Sequence, residues 1–243
     1  MCVVLFLMTA QSAFFGPAKY GILPEMLNER ELSKGNGYLG LWTFVAIILG
    51  TACGGPLVTT FKGARAVIAL ALMGVAGLGF VSSLLIRATT RQGTAAAFEM
   101  NFVKGIGRSL RAIHQDPPLF LCLLAVGYFW FLGALFQMNV LLYGHNALQL
   151  SDNRTSLLLV AVALGVGLGS VTAGRLAEGK IEFGLVPIGA MSISLFCLLL
   201  AAPAAGFTDA LVRLTLVGFS AGFYMVPLNA YFQQRSPQAR RGQ

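Results

Sequence analysis

Few residues of this chain could do chemistry, and the best-defined pattern among them lacks its partners. Gly218-Phe-Ser-Ala-Gly222 matches G-x-S-x-G, the turn that presents a nucleophilic serine in hydrolases. Such a serine needs a base, whereas the two histidines, His114 and His145, fall near loops on opposite sides of the predicted membrane. The outer glycines, like Gly165 and Gly169, have the small-xxx-small spacing through which membrane helices pack. We therefore expect helix packing here and no enzymatic activity.

The four cysteines do not form a metal or redox motif. Cys2, Cys53, Cys122 and Cys197 each lie within an apolar run, with no CxxC spacing and no histidine nearby. Cysteines in such surroundings behave as small hydrophobic residues. We predict no disulfide, no metal site and no bound cofactor.

Side-chain amides within the apolar runs are better candidates for a binding site. Gln11, Gln137, Asn139 and Asn229 each place an amide at predicted membrane depth, where it must find a hydrogen-bond partner. Each amide could bond to a neighbouring helix or line a polar substrate cavity. Gln137 and Asn139 are two residues apart and cannot share one helix face, so at most one of them points squarely into a cavity.

Lys19 is a further candidate, because it is a cation at the predicted membrane surface. We expect Gly16 and Pro17 to break the first helix there, which leaves Lys19 where an ammonium group can meet a phosphate. Tyr20, the next residue, suits the headgroup layer. The alternative is an ordinary helix exit with a snorkelling lysine.

Membrane-spanning helices must position these residues. The chain is 56% hydrophobic and 11% charged, whereas soluble domains average about 25% charged residues. A helix needs about 20 apolar residues to cross the hydrocarbon core, and six runs qualify: 37–59, 64–86, 118–143, 155–174, 183–203 and 209–232. Run 1–15 is too short to cross the membrane, and we interpret it as the remainder of another span. With the basic tail at 235–243, it leads us to expect that both ends of a larger protein are missing.

The charges of the loops predict the orientation. Of the 17 lysines and arginines, 13 lie in 16–36, 87–117, 174–182 and 233–243, and four lie in the alternate loops. Lysine and arginine are enriched in cytoplasmic loops, so the first set is predicted to be cytoplasmic. This asymmetry also explains the formal charge of +8 without nucleic acid, and we expect no nucleic-acid partner.

The long connection 87–117 carries five of these basic residues. Apolar residues recur in it at helical spacing: Phe98, Phe102, Ile106, Leu110 and Ile113. The pattern predicts an amphipathic helix lying on the anionic cytoplasmic leaflet. A plain linker with a solvated basic face is the alternative.

The most distinctive stretch is Gln11-Ser-Ala-Phe-Phe-Gly-Pro-Ala-Lys-Tyr-Gly-Ile-Leu-Pro-Glu25, followed by Gly35-Asn-Gly37. It resembles bacterial lysophospholipid transporters of the major facilitator superfamily. It also resembles the transporter part of proteins that fuse this domain to an acyltransferase and an acyl-acyl carrier protein synthetase. Gly174-Arg-Leu-Ala-Glu-Gly-Lys180 resembles the loop that this superfamily repeats between the second and third spans of each half, and Val226-Pro-Leu-Asn229 also fits the group.

The resemblance covers essentially the whole chain and implies an all-α polytopic membrane protein. The fold would be a partial major facilitator fold, about spans four to ten of twelve. Residues 1–86 would be the end of the N-terminal six-helix half (spans four to six). Residues 87–117 would be the central cytoplasmic loop with its amphipathic helix, and 118–243 the first four spans of the C-terminal half.

The function that the resemblance implies is movement of lysophospholipid across the bacterial inner membrane for reacylation. Membrane lipids and a fused or separate acyltransferase or synthetase would be its partners. The substrate-binding residues would be Lys19, Gln137, Asn139, Asn229 and Gln11. Two alternatives stay open: a major facilitator transporter of another amphipathic small solute, and a non-transporting membrane anchor of a fused acyltransferase.

Overall fold

The computed structural model describes residues 2–61, 64–86, 107, 111, 113–202 and 206–235. Every regular element within these ranges is helical, which confirms the all-α prediction. In chain order they are α1 (Cys2–Gly21), α2 (Leu23–Met26), a 3-10 turn (Glu29–Glu31), α3 (Leu32–Thr60), α4 (Arg65–Leu84), α5 (Pro117–Leu142), a π-helical turn (Tyr143–Ala147), α6 (Asp152–Leu176), α7 (Leu185–Ala201) and α8 (Phe207–Arg235).

Five segments are long and apolar enough to cross a membrane: Glu29–Gly54, Ala66–Leu84, Pro117–Ala147, Asp152–Leu176 and Phe207–Arg235. They correspond to five of the six predicted runs. The sixth run, 183–203, forms α7, whose 17 residues are about 25 Å long. Helix α7 ends early because Ala202 precedes Pro203 and is extended, with φ −75° and ψ 143°; a residue before proline disfavours the helical conformation.

The prediction that the first helix breaks before Lys19 is wrong. Gly16 and Pro17 do not break it, and the helix continues to Gly21 with Pro17 inside. Proline removes one backbone hydrogen bond, in this case the bond to the Ala13 carbonyl, and a helix can continue through that loss with a kink. Lys19 therefore lies in the last turn of α1 and not in a loop.

The connection before α5 is described only near its end. The amphipathic helix predicted within 87–117 falls almost entirely outside the described residues and stays a prediction. At the start of α5, the Leu119 N–H donates to the Asp116 Oδ1 at 3.4 Å, and Pro117 takes the first helical position. An aspartate cap followed by proline satisfies the first helical turn.

Helices α6 and α8 cross where their glycines face each other. A Cβ atom built on Gly165 or Gly169 would collide with the backbone of α8, and one built on Gly218 or Gly222 would collide with the backbone of α6. The absence of side chains lets the two backbones touch, which is how membrane helices gain contact in lipid. The packing interpretation of both glycine pairs is confirmed.

Two apolar clusters hold the bundle at its two ends. Helices α5, α6 and α8 contribute the buried residues Val140, Leu158, Ala161, Ala210 and Leu214 to the first cluster. Helices α6, α7 and α8 contribute Ala173, Leu185 and Val226 to the second. We call the end near the second cluster the basic end; it is formed by residues 19–36, 113–119, 174–185 and 231–235.

Candidate functional site

Lys19 is held at the basic end by the neighbouring helix. Its Nζ donates a hydrogen bond to the Thr43 Oγ1 of α3 at 2.5 Å, and the Thr43 hydroxyl donates to the Leu39 carbonyl at 2.6 Å. The Nζ atom also lies 5.6 Å from the centre of the Tyr20 ring. An ammonium has three N–H donors, and the bond to Thr43 uses one. This half-buried cation can offer a charge-assisted hydrogen bond to an anion such as a phosphate.

Two side-chain amides join α3 to α8 at the same end. The Asn36 Nδ2 donates to the Gln233 Oε1 at 2.7 Å, and the Gln233 Nε2 donates to the Asn36 Oδ1 at 3.0 Å. The Asn36 Nδ2 also donates to the Leu32 carbonyl at 2.9 Å. The two residues are only 4% and 6% exposed. Each amide satisfies the other, so removing Asn36 would leave Gln233 buried without these bonds. Removing Gln233 would leave the Asn36 Oδ1 unpaired, while the Asn36 Nδ2 would keep its bond to the Leu32 carbonyl.

Two further polar contacts tie the helix ends together. The Ser33 Oγ donates to the Lys180 carbonyl at 3.1 Å. The Arg235 Nε donates to the Asp116 Oδ2 at 2.8 Å and thereby links the end of α8 to the start of α5. This hydrogen bond holds the pKa of the Asp116 carboxyl below its ordinary value. At this end, polar contacts therefore join α3 to the segment after α6, and α5 to α8.

Helix α3 approaches α6 closely only over its first part. A Cβ atom on Gly37 would lie 2.5 Å from the Ser170 carbonyl oxygen and 3.3 Å from the Gly174 Cα. Farther along α3, a Cβ atom on Gly50 or Gly54 would have no described atom within 4 Å. The faces of α3 at Gly50 and Gly54 are thus open in the described structure.

The predicted amides of α5 lie away from the basic end. Gln137 and Asn139 follow the start of α5 at Pro117 by 20 residues or more, which is about 30 Å along a helix axis. Both are exposed in the described structure, and the Asn139 Nδ2 donates to the Leu135 carbonyl of its own helix at 2.8 Å. The structure therefore does not bring them to the basic end.

The other two predicted residues lie on α1 and α8. Gln11 is exposed on α1, eight residues before Lys19, and Asn229 is half-buried on α8. Asn229 lies one helical turn before Gln233. Among the five predicted residues, Lys19 is the one for which the described structure shows both a hydrogen bond to another helix and a contact with an aromatic ring.

Sequence reasoning missed the Asn36–Gln233 pair, although a signal was present. Asn36 lies between Gly35 and Gly37 just before an apolar run, and Gln233 lies just after another. An amide among small residues at a helix end is a candidate for an interhelical hydrogen bond. The sequence contained nothing that would pair these two positions.

Ser220, the central residue of the G-x-S-x-G pattern, has a structural role in the described helix. It is buried, and its Oγ donates to the Leu216 carbonyl of the same helix at 2.9 Å. Helical serines commonly make this bond to the preceding turn. A nucleophile elbow requires a strand before the serine, whereas Ser220 lies within α8.

The helices and their exposed surfaces define a class of protein. Large apolar side chains such as Trp42, Leu70 and Phe131 are exposed at 66%, 66% and 61%, while the glycine pairs of α6 and α8 and the Asn36–Gln233 amides lie where helices meet. An apolar exterior around long helices is typical of proteins that have lipid as their solvent. The chain is therefore a multi-pass α-helical membrane protein.

The chain belongs to the Major Facilitator Superfamily, because the sequence model of that family matches residues 1–243. Its fold is accordingly a partial major facilitator fold. It is similar to the lysophospholipid transporter LplT of Yersinia pestis (strain Pestoides F), with 30% identity over 92% of this chain and 54% of the relative. The same values hold for LplT of Yersinia pseudotuberculosis serotype O:3 (strain YPIII). The chain thus spans about half the length of these curated relatives, and no solved structure matches it.

Proposed function

We propose that the protein transports lysophospholipid across the bacterial inner membrane and delivers it for reacylation. The observation that carries this proposal is the 30% identity, over 92% of the chain, to relatives named as lysophospholipid transporters. A lysophospholipid has one acyl chain and a phosphate headgroup, so its transporter must offer apolar surface and at least one group that binds phosphate. The half-buried ammonium of Lys19 is suited to the second task.

The proposal includes an organisation of the chain. Residues 1–86 are assigned to spans four to six, 87–117 to the central cytoplasmic loop, and 118–243 to spans seven to ten of a twelve-span transporter. The basic end then faces the cytoplasm, where an acyltransferase or synthetase would receive the lipid. These assignments are supported by the loop charges and by the family.

Lys19 is proposed to bind the phosphate of the lipid headgroup. Thr43 accepts one N–H of the ammonium and so fixes its direction, because Thr43 itself is anchored to the Leu39 carbonyl. A charge-assisted hydrogen bond to phosphate contributes about 1.5–3 kcal/mol, which is roughly tenfold to a hundredfold in affinity. A lysine that only snorkels would contribute about 0–1 kcal/mol through exposed ion pairs.

The test measures uptake of radiolabelled lysophosphatidylethanolamine by spheroplasts that express the protein and have no lysophospholipid uptake of their own. Lys19→Gln should raise the apparent KM roughly tenfold to a hundredfold, and Lys19→Arg should retain part of the uptake. Lys34→Gln is the matched control, because Lys34 is an exposed lysine of α3 at the same end. Thr43→Val should weaken uptake less than Lys19→Gln, since it removes the acceptor and keeps the cation.

The outcomes separate the substrate from the residue. No uptake by the unsubstituted protein, at confirmed expression, would refute lysophospholipid transport by this protein. Uptake that Lys19→Gln leaves unchanged would reduce Lys19 to a membrane anchor. A third outcome is that an excess of an amphipathic solute without phosphate abolishes the uptake of lysophospholipid. That result would favour a transporter of amphipathic solutes in general over a transporter of lysophospholipid.

We propose that Gln137 or Asn139 lines the substrate path farther along α5. Their exposure in the described structure leaves these side chains available to a substrate, and an amide facing only lipid would be costly. Leucine at either position should lower the uptake rate more than it lowers the amount of folded protein in the membrane. Full activity of both leucine variants would contradict the assignment.

A further inference from the structure

The amide pair Asn36–Gln233 connects residues that are 197 positions apart. It joins α3, in the first part of the chain, to α8, the last described helix. We infer that this amide pair is a releasable lock that holds the basic end of the bundle closed. The inference concerns the conformation of the chain and does not depend on the proposed substrate.

Apolar packing alone would hold α3 only weakly at this position. In a bilayer, lipid tails are as apolar as leucine, so helices associate through close contact and hydrogen bonds. The crossing at Gly37 and Gly174 provides close contact, but such flat faces give little directional preference. The two reciprocal hydrogen bonds of the amide pair are directional, and they fix α3 against α8.

The position of the amide pair makes it releasable. Asn36 is the fifth residue of α3, which begins at Leu32, and Gln233 is two residues before the end of α8 at Arg235. Both amides lie within about two turns of a helix end, so water can hydrate them when the helices separate. The Ser33 bond to the Lys180 carbonyl is neutral and would open in the same way.

A lock of this kind predicts a specific asymmetry between single and double substitutions. Asn36→Leu leaves the Gln233 amide buried without its partner. Gln233→Leu leaves the Asn36 Oδ1 without a donor, while the Asn36 Nδ2 keeps only the Leu32 carbonyl. An unsatisfied buried amide destabilises the closed arrangement, whereas replacing both partners with apolar groups of similar size can be nearly neutral. The single variants should therefore open the basic end and the double variant should close it again.

The experiment measures maleimide labelling of the purified full chain in detergent, after the native cysteines are replaced by alanine. Ser33→Cys is the probe, because Ser33 is 2% exposed and adjoins the amide pair. Thr155→Cys is the matched control, because Thr155 is also a hydroxyl residue, 1% exposed, in the apolar cluster region at the opposite end. Each probe is labelled in the parent, in both single variants and in the double variant.

In the single variants, we expect labelling at position 33 to be roughly tenfold faster, and at most about a hundredfold faster, than in the parent. Labelling in the double variant should return to within about threefold of the parent rate, and labelling at position 155 should not change. Unchanged labelling in the single variants would overturn the lock. So would a rise at both probes, which indicates general loosening, or a double variant that labels as fast as the single ones.

A disulfide provides the folding control. A Cβ atom built on Gly167 lies 3.7 Å from the Phe44 Cβ, which is close to the usual separation of about 3.8 Å in disulfides. Phe44→Cys with Gly167→Cys should therefore cross-link on mild oxidation, with or without Asn36→Leu, because Phe44 lies eight residues after Asn36, about two turns farther along α3. Loss of the cross-link in Asn36→Leu would show that the whole α3–α6 contact had collapsed and would also overturn a local lock.

Discussion

Gly169→Ala is the substitution whose effect on stability the structure defines most closely. The new methyl group would enter the backbone of α8 at the Phe219 carbonyl, and a backbone atom cannot move aside by changing rotamer. Overpacking costs about 1–3 kcal/mol, and contact with backbone favours the upper end of that range. Replacing a helical glycine by alanine returns about 1 kcal/mol, which leaves a net loss of about 2 kcal/mol. For a chain of this size the melting temperature should fall by about 4–8 °C.

Gly77→Ala is the matched control for this substitution. Gly77 lies on α4, and a Cβ atom there has no described atom within 4 Å. Only the gain in helix propensity applies to it, so the melting temperature should stay the same or rise by about 1–4 °C. The pair of variants therefore predicts shifts of opposite sign for one chemical change.

Unfolding can be followed through the native thiol of Cys122, which is 4% exposed. A fluorogenic maleimide reacts with it only when the bundle opens, provided that the other three cysteines are alanine. The purified protein is heated in detergent with the dye, and the two glycine variants are compared with the parent. If Gly169→Ala melts at or above the parent temperature, the close α6–α8 crossing is wrong. If both variants fall equally, the loss does not come from that contact.

Two further predictions concern the ends of the bundle. In intact cells, Asp152→Cys in a cysteine-free chain should react with an impermeant maleimide and Thr94→Cys should not; the reverse pattern would invert the predicted topology. The Arg235 hydrogen bond lowers the pKa of Asp116, so its contribution to stability is present above about pH 4 and is lost as the pH falls through the lowered value. Arg235→Gln should therefore reduce the dependence of the melting temperature on pH below about pH 4, and an unchanged profile would contradict the ion pair.

The helices themselves could be predicted because their signals are local. Span length and composition identify the membrane helices, since every backbone group in lipid must be satisfied within its own helix. The start of α5 also has a local signal, because the Asp116 cap and Pro117 both act within one helical turn. Two errors were also local: Pro17 did not end α1, and Ala202 ended α7 before the apolar run finished.

The candidate site could be predicted only in part. Lys19 could be identified as an interfacial cation from its position, but its partner Thr43 lies 24 residues away on another helix. Gln137 and Asn139 could be identified as amides in an apolar run. Their distance from the basic end was not evident, because the sequence does not state which helix ends meet.

The sequence by itself determined the solvent of this protein, its helical spans and the glycine pairs available for packing. These features depend on composition and on spacing within one helix, where 3.6 residues make a turn. The tertiary structure decided which faces meet: the glycines of α6 against those of α8, and Asn36 against Gln233 across 197 positions. Apolar faces in lipid have little preference for one another, so the pairing depends on backbone approach and on hydrogen-bond geometry between distant residues, and neither leaves a periodic pattern in the chain.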